Sequence, residues 1–233
     1  MTDALTTIDW TAIEAALDAE GWAVLPGLLT PENCAALVAG YDNDDRFRST
    51  ITMARHGFGR GEYRYFAYPL PPQVAALRSG LYRWLAPIAN RWHARMAIDR
   101  RFPSTHDAFL DQCHAAGQGR PTPLLLRYGP GDYNCLHQDL YGDYVFPLQV
   151  AVLLSQPGAE FSGGELVLTE QRPRMQSRAA VVPLMQGDAV IFAVSQRPVQ
   201  GSRGSYRVTM RHGVSKISEG RRHTLGIIFH DAH

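Results

Sequence analysis

Apolar residues follow helical spacing in the first part of the chain. They recur three or four positions apart over 12–17 and again over 73–99, as they do along the buried face of a helix. Thr30 and Pro31 provide an N-cap and a first-turn proline, and together they predict a further helix that runs to about Gly40. The first part is therefore expected to be mainly helical.

The pattern changes to short apolar runs at Leu124. These runs follow one another at a spacing of about 10 residues and are separated by Gly, Pro and Asp, which is typical of a β-sandwich or barrel. A sequence that places helices first and strands afterwards predicts an α+β fold, mainly β, in which the helices support a sandwich from outside. The predicted strands are 124–128, 147–155, 164–169, 179–184, 189–194, 207–214 and 224–230.

Two segments show neither pattern. Residues 42–68 mix arginines with aromatics and glycines and are interpreted as a loop or an irregular hairpin, whereas 100–122 are interpreted as a connection. Because no linker-like stretch divides the chain, we expect one domain over 1–233. Within it, 1–123 would form the helical support and its loops, and 124–230 the β-sandwich core.

Composition narrows the class of protein. The chain has 233 residues, of which 45% are hydrophobic, and a formal net charge of +1, so it is not expected to coat itself with nucleic acid or anionic lipid through bulk charge. No run approaches the roughly 20 apolar residues of a membrane span, and the first residues lack the apolar core of a signal peptide. Cys34, Cys113 and Cys135 form no paired motif, which favours a reducing compartment, and we predict a cytoplasmic protein without a membrane partner.

One short motif offers metal-binding chemistry. His137 and Asp139 are two positions apart, so in an extended segment both side chains point to the same side. A further histidine would complete a two-histidine, one-carboxylate set, which leaves coordination positions open for a chelating co-substrate and oxygen on non-haem Fe(II). An ordinary polar pair in a turn is the alternative for His137 and Asp139. The candidates for the third ligand are His212, His223, His230 and His233.

A family resemblance separates these candidates. The run HGVSKISEGRRHT from His212 is similar to the distal signature of 2-oxoglutarate/Fe(II) oxygenases of the prolyl-hydroxylase-like type, H-x-V-x-x-V-x-x-G-x-R-x-S/T. The segments LLLRYGPGDYNCLHQD, FSGGELVLTE and GDAVIF resemble further motifs of that superfamily in the same order, so the resemblance covers about 124–230.

The resemblance implies a fold, an activity and a set of site residues. The fold is a double-stranded β-helix, or jelly roll, and the activity is that of a 2-oxoglutarate/Fe(II)-dependent dioxygenase that hydroxylates a C–H bond and releases succinate and CO2. It implies that Fe(II) is bound by His137, Asp139 and His212, with 2-oxoglutarate and O2 as co-substrates and ascorbate as a supporting reductant. The residues it implies for 2-oxoglutarate are Tyr128, Arg222 and Thr224, where the spacing favours Arg222 over the adjacent Arg221.

The substrate is the least determined part of the prediction. LTEQRPRMQSR and QRPVQGSRGSYRVTMRHGVS resemble the bacterial Oxygenase-NA family, for which oxidative demethylation of damaged nucleic-acid bases has been proposed. The HxD segment is also similar to that of AlkB-type repair dioxygenases, whose distal arginines are spaced differently. Residues 171–222 carry ten arginines and lysines against two acidic residues, and arginines beside aromatics in 42–68 suit a single-stranded or flipped base. The substrate-side candidates are Arg60, Arg64, Tyr63 and Tyr65.

Other interpretations are compatible with the same residues. The arginines of 42–68 could pair with Asp42, Asp44 and Asp45 in a solvated loop. The chain could hydroxylate a protein side chain or a small metabolite, and the prolyl-hydroxylase-like motif favours this alternative. It could also be a non-catalytic jelly roll that only binds metal or 2-oxoglutarate. The sequence makes no prediction of oligomeric state.

Overall fold

Helices of the first part carry the caps that the sequence predicts. The computed structural model describes residues 5–202 and 204–233. Thr30 Oγ1 accepts a hydrogen bond from the backbone N–H of Asn33, and Gly21 ends the first helix in the left-handed region at φ 81°. The helices are α1 (Trp10–Glu20), α2 (Pro31–Ala39), α3 (Pro72–Arg95) and α4 (His106–Ala115).

Helix α4 corrects the prediction that 100–122 is only a connection. Thr105 caps this helix, and its buried side chains are His106, Phe109 and Cys113. The apolar stripe is short and includes a histidine, so its period was not recognised in the sequence. Tertiary packing of Phe109 against Tyr82 of α3, with ring centroids 5.6 Å apart, stabilises the helix.

The strands form two main antiparallel sheets. The strand bounds are β1 (Trp22–Leu25), β2 (Phe47–Thr52), β3 (Gly59–Arg60), β4 (Glu62–Phe66), β5 (Leu124–Tyr128), β6 (Tyr133–His137), β7 (Leu148–Leu153), β8 (Phe161–Gly163), β9 (Leu166–Gln171), β10 (Arg178–Val182), β11 (Ala189–Ala193), β12 (Gln196–Gly201), β13 (Gly204–Val214), β14 (Ile217–Gly220) and β15 (Arg222–Ile227). The larger sheet has the order β1-β11-β7-β15-β5-β4-β2, and the smaller one the order β10-β9-β13-β6-β3 with β12 also paired to β13, while β8 pairs with β14 separately. The α+β fold, a jelly roll with supporting helices, is confirmed.

Residues 42–68 form a hairpin, which is one of the two structures expected for them. Strand β2 pairs with β4, and β4 pairs with β5, so the hairpin extends the larger sheet. Tyr65 of β4 packs against Leu124 and Ile228 in a small buried cluster. This contact places one face of the hairpin beside the catalytic core.

Successive side chains along the strands of the larger sheet point alternately to two sides. One side packs on the helices, and the other faces the space between the two sheets. On β7, Val150 and Val152 belong to the main apolar cluster that also contains Leu77 and Leu85 of α3. Gln149 and Ala151, which alternate with these two valines, line a cavity between the two sheets instead. The helices thus cover the outer face of the larger sheet and leave its inner face available for a site. The organisation as one domain over 1–233 stays a prediction.

The structure describes the state of the three cysteines and the character of the helices. Cys34 and Cys113 are buried as free thiols, and Cys135 is an exposed free thiol. Within the described ranges, no helix has both the length and the apolar character needed to cross a bilayer. The cytoplasmic location stays a prediction.

Candidate metal and co-substrate site

Three possible metal ligands converge on the inner face of the smaller sheet. His137 ends β6 and lies directly opposite His212 of β13, and Asp139 follows two residues after His137. The carboxylate oxygens of Asp139 lie 3.5 Å from Nε2 of His137 and 3.3 Å from Nε2 of His212, and the ligand atoms all lie within 4.8 Å of one another. Two imidazoles and one carboxylate at this spacing form the donor set of a facial triad.

A β-bulge turns His137 into the sandwich. His212 pairs with His137 and Val214 pairs with Asn134, so two steps along β13 correspond to three along β6. The extra residue reverses the alternation of β6, and both Asn134 and His137 line the cavity. Gly213 permits this close approach, because a Cβ at that position would lie 2.7 Å from the carbonyl oxygen of Asn134.

The charges of the cluster suit a cation. Burial by itself would raise the pKa of Asp139, but hydrogen bonds and charge from His137 and His212 hold it well below its usual range. Burial lowers the pKa of His212, whereas the partnership with Asp139 outweighs burial and raises the pKa of His137. A divalent cation would bind the ionised carboxylate and the nitrogens of the two imidazoles, in place of any proton there.

Hydrogen bonds orient two of the three ligands. Nδ1 of His137 lies 2.8 Å from the carbonyl oxygen of Cys135, which leaves Nε2 for a metal. The Tyr141 hydroxyl donates a 2.7 Å hydrogen bond to Oδ1 of Asp139. The sequence analysis missed Tyr141, and a tyrosine two positions after the carboxylate was the only available signal.

A second group of polar residues faces this cluster from the larger sheet. Tyr128 of β5 pairs directly with Arg222 of β15, and Thr224 is the next residue of β15 that points inward. Nη1 of Arg222 donates to Oγ1 of Thr224 at 2.5 Å, and its Cζ lies 5.8 Å from the centre of the Tyr128 ring. The structure therefore brings the three residues that the resemblance implied for 2-oxoglutarate to one place, and it leaves Arg221 exposed.

These residues fit a carboxylate that would enter between the sheets. Arg222 is 3% exposed and has no carboxylate partner within the described part of the chain. Its Nε and the Tyr128 hydroxyl are buried polar atoms without a hydrogen-bond partner among the described residues. Burial lowers the pKa of Arg222, which reflects the cost of an unpaired charge. A ligand carboxylate would supply the missing charge and acceptors.

The cavity between the sheets has a volume of about 340 Å³ and connects both groups. Apart from these polar groups, its wall is mostly apolar or aromatic, as is usual for a small-molecule site. Gly226 keeps the space open, since a Cβ there would lie 2.7 Å from Cδ2 of Leu124. Gln149, which the sequence analysis did not identify, also faces the cavity, and its buried Oε1 has no partner in the described ranges.

The four substrate-side candidates divide into two pairs. Tyr63 and Tyr65 line the cavity, but Arg60 and Arg64 do not. Alternate residues of a strand point to opposite faces, so Arg64, which lies between the two tyrosines, is turned away. It pairs with Asp44 at 2.6 Å, as the interpretation of a solvated loop expects.

Among the described arginines and lysines of 171–222, Arg222 alone lines the cavity. Arg197 is buried in an ion pair with Glu170, and Arg172 pairs with the same carboxylate at 2.7 Å. Arg207 donates to the carbonyl oxygen of Met96. Arg203 lies outside the described residues.

Comparison with known proteins gives a family match over most of the chain. The sequence model of Oxygenase-NA, described as an oxygenase that catalyses oxidative methylation of damaged DNA, matches residues 61–232. Uncharacterized proteins from two strains of Mycobacterium tuberculosis are each 48% identical over 167 residues, which is 72% of this chain and 72% of the relative.

Solved structures share the fold at low sequence identity. A 2OG-Fe(II) oxygenase family oxidoreductase from Burkholderia pseudomallei is 14% identical with a TM-score of 0.58, over 97% of this chain and 93% of that one. A prolyl-4-hydroxylase from Pseudomonas putida is 15% identical with a TM-score of 0.52, over 96% and 100%. The non-heme alpha ketoglutarate dependent epimerase SnoN from nogalamycin biosynthesis is 14% identical with a TM-score of 0.58, over 93% and 80%.

Proposed function

The chain belongs to the Oxygenase-NA family, and on that basis we propose that it is an Fe(II)- and 2-oxoglutarate-dependent dioxygenase that demethylates alkylated nucleic-acid bases. The prediction of an enzyme of the oxygenase class, with the fold of the 2-oxoglutarate/Fe(II) oxygenases, is confirmed. The cofactors, the residues that bind them and the substrate belong to the proposal.

One observation carries the proposal: a facial triad and an unpaired buried arginine face each other across one cavity. His137, Asp139 and His212 would hold Fe(II), and Arg222 with Thr224 and Tyr128 would hold the distal carboxylate of 2-oxoglutarate. When bound, this pair of cofactors supplies oxidative decarboxylation of 2-oxoglutarate to succinate and CO2, coupled to hydroxylation of a substrate C–H bond.

The chain itself contributes positioning and a dry cavity. The unpaired guanidinium of Arg222 fixes one end of the co-substrate, and its distance from the triad selects a dicarboxylate of suitable length. Apolar side chains such as Leu124, Leu126 and Phe192 line the intervening wall and exclude water. These roles depend on both sheets, since the triad lies on one and Arg222 on the other.

The family description and the cavity wall support a base as substrate. The wall includes Tyr63 and Tyr65, and aromatic side chains stack on bases that have left a helix. An oxygenase acts on a methyl group that is already present, so we propose removal of the methyl group. Insertion of one oxygen atom into an N-methyl C–H bond gives a hemiaminal, whose C–N bond then breaks to release formaldehyde and restore the N–H.

The test measures two products from the full-length chain with Fe(II), 2-oxoglutarate and ascorbate. We expect succinate and formaldehyde in equal amounts from N-methylated single-stranded oligonucleotides, and neither product with His137→Ala or Asp139→Ala. Full turnover by either variant contradicts the site assignment. If succinate forms together with a hydroxylated peptide or metabolite and without formaldehyde, that molecule is the substrate instead of a nucleic-acid base. Absence of succinate under all conditions indicates a binding module.

A further inference from the structure

The loop 53–60 is attached directly to the strand that carries His137. The backbone N–H of Cys135 donates to the carbonyl oxygen of Phe58 at 2.9 Å, and Gly59 pairs with Asn134 in the register of β3 and β6. Next to this loop, β6 ends at His137. The loop is therefore one rim of the cavity mouth.

Glycines make this close attachment possible. Gly57 has a φ of 71° and Gly59 a φ of 127°, in the region that side chains rarely adopt. A Cβ on Gly59 would collide with the carbonyl oxygen of Tyr133. The loop thus has a defined path beside β6.

This path places an aromatic platform at the mouth. Phe58 lines the cavity although its side chain is 47% exposed, and the ring of His56 stacks on it with centroids 5.3 Å apart and planes at 19°. Leu136, also 47% exposed, lines the same mouth from β6. Large apolar side chains that stay in water beside a cavity indicate a surface that a ligand covers.

Two unpaired cations flank the platform. Arg55 and Arg60 are exposed, and neither side chain has a carboxylate partner or a hydrogen bond among the described residues. Each lies within three residues of Phe58, and so within about 11 Å along the chain. By contrast, Arg64 and Arg127 nearby are paired with Asp44 and Asp42.

We propose that residues 55–60 bind the single-stranded DNA that flanks the target base, with Phe58 stacked on a neighbouring base and Arg55 and Arg60 on phosphates. Alternating aromatic and cationic side chains are the combination that recognises a single strand, because every base has a face for stacking and every linkage a charge. This inference rests on the proposed function and specifies where its polymer substrate lies.

Binding of a fluorescein-labelled, unmodified single-stranded oligonucleotide to the full-length chain tests the proposal. Fluorescence anisotropy over a series of salt concentrations gives both the affinity and the number of phosphate contacts. We expect Phe58→Ala to weaken binding roughly 5- to 150-fold with an unchanged salt dependence, since a base-aromatic stack has no net charge. Arg55→Gln/Arg60→Gln should reduce the slope of log K against log salt by about 1.4, which corresponds to two single-strand phosphates.

The double variant Arg120→Gln/Arg174→Gln is the matched control, because it removes two exposed arginines outside the loop. If it lowers the salt slope as much as Arg55→Gln/Arg60→Gln does, the effect is one of bulk charge and the proposal is wrong. Unchanged binding by Phe58→Ala, with a melting temperature equal to that of the parent protein, also overturns it.

Formaldehyde release separates this inference from the proposed function. A methylated nucleoside has no flanking strand, so Arg55→Gln/Arg60→Gln should demethylate it at the parental rate while losing activity on the methylated oligonucleotide. Nucleoside turnover together with parental binding by every loop variant contradicts the loop assignment alone. Absence of formaldehyde from any methylated substrate contradicts the proposed function, whereas the anisotropy comparison still decides the role of the loop.

Discussion

The hydroxyl of Tyr141 donates to Oδ1 of Asp139, the carboxylate of the proposed triad, at a distance of 2.7 Å. The other oxygen, Oδ2, lies 3.3 Å from Nε2 of His212. The hydrogen bond therefore restrains the rotation of the carboxylate, so that Oδ2 stays beside His212 and Oδ1 stays 3.5 Å from Nε2 of His137. A tyrosine that no metal-binding motif contains thus sets the geometry of a predicted ligand.

Removal of that hydroxyl should weaken metal binding. Tyr141→Phe keeps the ring but loses the hydrogen bond, and partners of this kind typically contribute 10- to 100-fold to metal affinity. We expect Mn(II) binding, measured by titration calorimetry on the apoprotein, to weaken by roughly that factor, whereas the exposed Tyr133→Phe should bind as the parent does. Equal Mn(II) affinities for both variants contradict the positioning role.

Arg222 should lower the free energy of unfolding of the apoprotein and at the same time strengthen the binding of 2-oxoglutarate. In Arg222→Met an apolar chain replaces a buried charge that has no partner in the described ranges, so we expect the free energy of unfolding of the apoprotein to rise by about 1–3 kcal/mol. The same variant should bind 2-oxoglutarate at least about 30-fold more weakly, because a charge-assisted pair is lost.

Urea denaturation and 2-oxoglutarate titration measure the two effects separately. The adjacent Arg221→Met is the control, and since Arg221 is exposed it should change neither quantity. A parental affinity for 2-oxoglutarate in Arg222→Met would assign the co-substrate carboxylate to another residue.

A buried ion pair should govern stability in acid. Burial alone would raise the pKa of Asp231, but the charge of Arg78 and hydrogen bonds from His114, Arg78 and Tyr68 outweigh it and keep the pKa below its ordinary value. A depressed pKa in the folded state stabilises the protein above the unfolded-state pKa of about 3.9. This contribution is therefore complete at neutral pH and is lost as the pH falls below about 4.

Asp231→Asn should remove this contribution and leave Arg78 as an uncompensated buried charge, at 2.8 Å from its former partner atom. We expect the free energy of unfolding at pH 7 to fall by about 3–5 kcal/mol, and its decline between about pH 5 and pH 2 to become shallower. Urea denaturation at several pH values measures both. The exposed Asp111→Asn should retain the parental pH profile, and a parental profile in Asp231→Asn would refute the assignment.

The bulge beside the triad should tolerate no side chain at position 213. Gly213→Ala would place a Cβ 2.7 Å from the carbonyl oxygen of Asn134, and we expect it to cost about 1–3 kcal/mol of stability and to weaken Mn(II) binding through displacement of His212. Gly119→Ala is the matched control, because its Cβ meets no atom within 4 Å. Thermal denaturation compares the two, and equal stabilities would mean that β6 can shift without cost.

Several features followed from short-range sequence alone. The strand at 124–128, the helix cap at Thr30 and the two-residue spacing of His137 and Asp139 depend on the geometry of a few consecutive residues, so their pattern was sufficient. The family resemblance, through its ten-residue interval between His212 and Arg222, also favoured Arg222 over Arg221, and the structure buries only Arg222.

The tertiary structure decided what depends on residues far apart in the chain. Pairing of β13 with β6 brings His212 to His137 and creates the bulge, and the packing of α4 against α3 stabilises a helix with a weak pattern of its own. The pairing of β4 with β5 in the larger sheet also decides that Tyr65 faces the cavity and that Arg64 is turned away. Spacing along the sequence determined which side chains could bind an ion or a carboxylate, whereas strand pairing and burial, which involve contacts across more than 70 residues, determined that they meet in one cavity.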